Sequence, residues 1–136
     1  MTPLTLPAWE RGTPGILCVA GPRAIPISTA VRLGDDRLAF GLARSRETLA
    51  VLRSDPRAAF CVLGAGVAFT AHGSVGVMRE ELEAAPTVAG LELRVERVQD
   101  HLADGRTEIL DGVNWRWRDE SFAATEDEIV AELEGL

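Results

Sequence analysis

A chain of 136 residues that is 46% apolar and 26% charged has the size and composition of one globular domain with a substantial core, and we read it as a single domain over residues 1–136. Fourteen basic against 21 acidic residues leave a net charge of −7, whose field repels phosphate backbones and anionic headgroups, so neither nucleic acid nor a membrane is an expected partner. No run approaches the ~18 apolar residues of a membrane span. The opening MTPLTLPAWERGTPG has neither a basic n-region nor an apolar h-region, so the expected location is cytoplasmic.

In chain order, Gly15–Ala20 is an apolar run closed by the turn pair Gly21-Pro22, and a second extended run follows from Ala24 to Val31. Pro26 lacks a ladder N–H, which places that run at a sheet edge or a bulge. Gly34-Asp35-Asp36 turns the chain into a third strand, Arg37–Leu42, and connections this short make the meander antiparallel. Ser45–Arg53 is a short helix, with Ser45 as the expected N-cap, Leu49 and Leu52 on its apolar face and Asp55-Pro56 as its stop. Ala58–Leu63 and Ala68–Met78 are strands joined by Gly64-Ala65-Gly66, and Gly73 and Gly76 mark bulges or a bend in the second.

Arg79–Ala85 is expected to be a short polar helix ended by Pro86. Leu91, Leu93 and Val95 then alternate as a strand, and the pattern slips by one residue before Val98, as a bulge would make it do. Ile109–Trp117 is the expected last strand, with Trp115 and Trp117 on one face that the C-terminal helix or a second subunit must cover. Thr125-Glu126-Asp127-Glu128 has the form of a capping box opening that helix, with Ile129, Val130 and Leu133 inward and the acidic residues of 126–134 on its solvated side.

Every basic residue is arginine. With no lysine there is no Schiff-base chemistry, and a bound phosphate must be held by arginine, hydroxyls or backbone N–H groups. Cys18 and Cys61 lie in apolar runs without a CxxC pair and read as buried thiols. His72 reads as an ordinary strand residue, since His101 alone cannot complete a metal site with it.

The order of these elements, with the segment Arg37–Leu63 (RLAFGLARSRETLAVLRSDPRAAFCVL), resembles the pyridoxamine 5′-phosphate oxidase-like family of FMN-binding split barrels over roughly residues 9–118. Asp55-Pro56-Arg57-Ala58-Ala59-Phe60 matches the end of that family's helix-to-strand step, Leu52 its leucine, and Gly73 the glycine of the next strand. Thr48 stands where many members have lysine, Val51 where asparagine is usual, and Val67-Ala68 where some have Arg-Gln.

The resemblance implies a mainly β (α+β) fold, a small antiparallel split β-barrel with a short helix after the third strand and a C-terminal helix. It implies a homodimer that holds FMN between subunits and acts as a flavin-dependent oxidoreductase on a small-molecule substrate. A deazaflavin-dependent reductase, a non-catalytic flavin carrier and a cofactor-free dimer are the alternatives of the same fold. For the cofactor phosphate, Ala43, Arg44, Ser45, Arg46 and Thr48 combine a helix N-terminus with hydroxyls and guanidinium groups. Ser28 and Thr29 fall on the strand against which the family lays its flavin ring, and alternation puts one of them inward. No side chain stands out as a general acid or base.

Overall fold

The computed structural model describes residues 4–136, so the first three residues of the opening stretch lie outside it. Side chains two apart along a strand share a face, and that period builds a barrel from seven strands. These are β1 (Gly15–Val19), β2 (Arg23–Ile27), β3 (Val31–Gly34), β4 (Arg37–Ala43), β5 (Arg57–Gly64), β6 (Val67–Arg79) and β7 (Val88–Asp100). Leu38, Phe40 and Leu42 of β4 face Ala89, Leu91, Leu93 and Val95 of β7 and Leu17, Phe60, Val62 and Phe69 of the other strands in one buried interior. Leu49 and Leu52 of α1 (Glu47–Ser54) close one part of it. Trp9 packs on Phe69 with ring centroids 5.6 Å apart and donates its indole N–H to the Ala30 carbonyl.

The strands are antiparallel throughout, in the order β2-β1-β5-β6-β7-β4-β3. β2 and β3 are the two edges, consecutive in the chain but not paired with each other, so the barrel is split between them. Pro26 accordingly sits on an edge strand. The run expected over Ala24–Val31 is two strands, because Ser28–Ala30 leaves one edge and crosses to the other. The short helix follows Arg37–Ala43 as expected, and that strand becomes the fourth.

The slip read between Val95 and Val98 is real. His72 pairs with Arg97 and Gly73 with Val95, leaving Glu96 as the extra residue. Gly73 is required there, since a Cβ would lie 1.9 Å from the Arg94 carbonyl oxygen.

A second apolar layer covers the outside of β3 and β4. Ile129, Val130 and Leu133 of α2 (Glu120–Glu134) pack with Val31, Ala39 and Leu82. The helix begins five residues before the expected box, with Asp119 as its N-cap accepting from Ser121 N–H, and the Thr125 hydroxyl donates to the Ser121 carbonyl within the helix. The helix expected over Arg79–Ala85 is a loop. Leu82 is drawn into the second core, while the Glu132 carboxylate accepts from Glu83 N–H, Ala84 N–H and Arg79. The strand expected over Ile109–Trp117 does not form either. The segment crosses the β5–β6 turn, where Gly66 N–H donates to the Ile109 carbonyl, and it reaches no free ladder. No helix among the described residues is long and apolar enough to cross a membrane.

Candidate functional site

The seven candidate residues lie in two places. Ser28 and Thr29 occupy the crossing between the two edges. The Thr29 hydroxyl is tied to the backbone of Gly41, accepting from its N–H at 3.1 Å, whereas the Ser28 hydroxyl turns to α2 and donates to Glu126 Oε1 at 3.3 Å. The other five form the loop from β4 into α1, and their surroundings differ sharply.

Arg44 is neutralised by Glu81 at 2.9 Å. Ser45 is not the helix cap. Arg46 holds that position with extended backbone angles and no side-chain cap, so no side-chain acceptor occupies the first-turn N–H groups. The Arg46 side chain makes no ion pair or hydrogen bond among the described residues, and the residue is exposed. Glu47, the acid closest to that turn, is engaged by Arg23 through two contacts of 3.1 and 2.8 Å. The Thr48 side chain is buried, at 5% exposure. What the loop offers an anion is therefore one free guanidinium and the uncapped start of a helix, with the nearest carboxylates already paired. That set fits a phosphate.

On the outer face of the sheet, Ile16 pairs with Cys61 and Cys61 with Thr70, while Cys18 pairs with Ala59 and Ala59 with His72. The face carries small or apolar side chains, including the exposed Ile16 and Leu63, together with Thr70 and His72. Both cysteines are half-buried there as free thiols, not sealed in the core as expected. His72 meets Gln99 at 3.0 Å and His101 meets Thr70 at 2.8 Å. No group of three or more metal-binding side chains occurs among the described residues.

A cavity of about 250 Å³ opens between Arg11, the Ser28 crossing, Trp115, Trp117 and α2. Trp115 and Trp117 meet edge to face at 5.4 Å, and Phe122 packs tilted against Trp117 at 5.9 Å, so they cluster without the strand that was expected to align them. Glu126, expected on the solvated side of α2, lines this cavity and is only 8% exposed. Burial raises its pKa, against the Ser28 hydrogen bond and the charge of Arg11, while Asp127 adds to the rise. Sequence reasoning missed Glu126, although the signal was present. It lies three, four and seven residues before Ile129, Val130 and Leu133, on the same helical stripe.

No family model and no curated protein sequence matches the chain. Solved structures do. A Listeria innocua protein of the pyridoxamine 5′-phosphate oxidase type superposes with a TM-score of 0.53 at 14% identity, over 65% of this chain and 88% of that one. This is the split-barrel fold of the pyridoxamine 5′-phosphate oxidase-like proteins. An F420 reductase (TM-score 0.52, 13% identity, 66% of this chain and 91% of the other) has it too. So does an FMN-binding protein from Syntrophomonas wolfei subsp. wolfei (TM-score 0.50, 14% identity, 68% and 78%).

Proposed function

We propose that the chain is a flavin-binding split-barrel homodimer that acts as a small-molecule oxidoreductase. The observation carrying this reading is the loop before α1. On a fold shared with an FMN-binding protein, it presents the free Arg46 guanidinium beside uncapped helical N–H groups. Arg46 and the N–H groups of Glu47 and Thr48 hold the phosphate, while the Thr48 side chain is buried away from it. The flavin supplies the hydride or electron transfer. This chain's residues fix its phosphate and its orientation.

The second copy covers the outer face of β1, β5 and β6. That face carries Ile16, Ala59, Cys61 and Leu63 beside Thr70 and His72, and the exposed Ile16 and Leu63 are the apolar side chains that a second copy covers. Trp115 packs on Trp117 and Trp117 on Phe122, and these three rings are a second exposed apolar group, on the side of α2. A deazaflavin is the second reading, supported by the likeness to an F420 reductase. Both readings place the cofactor's phosphate at the same loop.

The test is the visible absorption of fresh protein and its uptake of added FMN. Arg46→Ala is expected to weaken FMN binding about tenfold and riboflavin binding far less, since riboflavin has no phosphate to lose a partner. A colourless protein that takes up neither FMN nor a deazaflavin sinks the proposal, and so does an Arg46→Ala variant that binds FMN as tightly as the parent. Sedimentation giving a monomer at micromolar concentration sinks the dimer.

A further inference from the structure

The cavity under α2 lies apart from the phosphate loop, since neither Arg46 nor α1 lines it, and of the residues expected to hold the flavin it takes in only Ser28, whose hydroxyl is turned to Glu126. Its chemistry is unusual for a structural void. Glu126 is more than nine-tenths buried, one carboxylate oxygen has only the 3.3 Å bond from Ser28, and the other, Oε2, has no hydrogen-bond partner. An orphaned buried acceptor carries a desolvation cost that a bound donor removes. Arg11 does not serve as that donor, since its guanidinium is engaged by Asp127 at the rim.

The opposite wall is aromatic. The Trp115 indole N–H is already given to the Gly12 carbonyl at 2.8 Å, so what that residue contributes to the cavity is its ring. Indole faces attract cations, and more strongly when the cation is desolvated. Two carboxylates, Glu126 and Asp127, stand against the single guanidinium of Arg11, which disfavours an anion. At about 250 Å³ the cavity is below the size of drug-scale sites, ~300–1,000 Å³, and suits a molecule of one ring.

We infer that this cavity binds a small planar cation of the amidinium, guanidinium or protonated amino-heterocycle class. Its N–H groups pair with the Glu126 carboxylate and its flat body lies against Trp115 and Trp117. A planar cation with two parallel N–H groups pairs with both oxygens once a turn of the Glu126 side chain brings the sealed Oε2 to the cavity wall, and it leaves its ring for the indoles. A neutral apolar molecule leaves Oε2 as it found it.

The probe is benzamidinium chloride, titrated into the full chain by calorimetry and by tryptophan fluorescence, with benzamide as the neutral isostere. Saturable binding is expected, with benzamide at least tenfold weaker on the parent protein. Glu126→Gln and Trp117→Ala are each expected to weaken benzamidinium about tenfold while far-ultraviolet circular dichroism stays unchanged. The inference is overturned by any of three results: no saturation below about 10 mM, benzamide bound as tightly as benzamidinium, or Glu126→Gln binding like the parent. The isostere comparison needs no variant, so a misfolded substitution cannot shield the idea. FMN uptake is read separately, so failure of the flavin reading leaves this result intact.

Discussion

Two glutamates are buried beneath or beside α2, and the protein treats them in opposite ways. Glu92, on the outer face of β7, is 6% exposed and receives two bonds from Arg37, at 2.9 and 2.6 Å, with Arg94 at 3.7 Å behind them. Glu126 is almost as buried, has one long bond from a hydroxyl, and keeps an oxygen with no partner. A carboxylate that guanidinium groups surround is part of the scaffold, since its desolvation is compensated where it sits. One left half satisfied is a place where the fold has kept binding capacity in reserve.

The comparison breaks most severely if the β6–β7 register is disturbed, because that register sets Arg94 and Glu92 on the strand. Gly73→Ala places a methyl group where only 1.9 Å separates it from the Arg94 carbonyl oxygen. The expected loss is about 3 kcal/mol or more of unfolding free energy, read by urea titration. Arg37→Ala comes next. It strands the Glu92 carboxylate and removes the Arg37 bond to the Leu136 carbonyl. A fully sealed pair loses ~3–5 kcal/mol when broken. With the Arg37 side chain 34% exposed and Arg94 still near, about 2 kcal/mol is expected from the same titration.

Glu126→Gln sharpens the contrast because its sign is reversed. The folded-state pKa of Glu126 is raised above its ordinary 4.5, so as pH climbs the unfolded chain gives up its proton first and the parent loses stability through that window. Glutamine does not titrate. Relative to the parent, the variant's melting temperature is expected to rise as pH climbs from the ordinary carboxylate range towards neutrality. A difference that stays flat with pH would mean that burial does not hold the Glu126 proton.

The smallest expected effect is at the surface. Asp55, after α1, accepts from the Arg57 side chain and N–H, and these bonds hold its pKa at about 2. Its contribution is present above the ordinary carboxylate range and is lost as pH falls towards that value. Asp55→Asn should therefore be mildly destabilising at pH 7 and neutral near pH 2, by differential scanning calorimetry, opposite in direction to Glu126→Gln.

Where local pattern and neighbours agreed, the fold was legible in the sequence. The alternation of Leu38, Phe40 and Leu42 defines β4, Asp55-Pro56 ends α1, and the phase slip before Val98 marks the bulge at Glu96. It was illegible where a partner distant in sequence decides the outcome. Residues 79–85 have helical composition, but the Glu132 carboxylate takes their N–H groups and Leu82 has a core to fill. Residues 109–117 have the apolar content of a strand but run past the β5–β6 turn, away from the two open edges β2 and β3. The Ser28–Ala30 crossing reads as continuous strand because nothing local shows that the barrel is open there. In the loop before α1, the residue types were visible in the sequence. Their availability was not, since Arg44 is taken up by Glu81, 37 residues away in the chain.

The outer face of the sheet has a practical consequence. Cys18 and Cys61 are the chain's two thiols, and both lie half-buried on the surface assigned to the second copy. Alkylation of the unaltered protein is then a footprint of that surface. If two copies meet there, labelling by a bulky maleimide should be slow in concentrated solution and quicken on dilution, and mass spectrometry would count the modified sites. The same series with FMN added would show whether the cofactor tightens the pair, through a protection that moves to lower protein concentration.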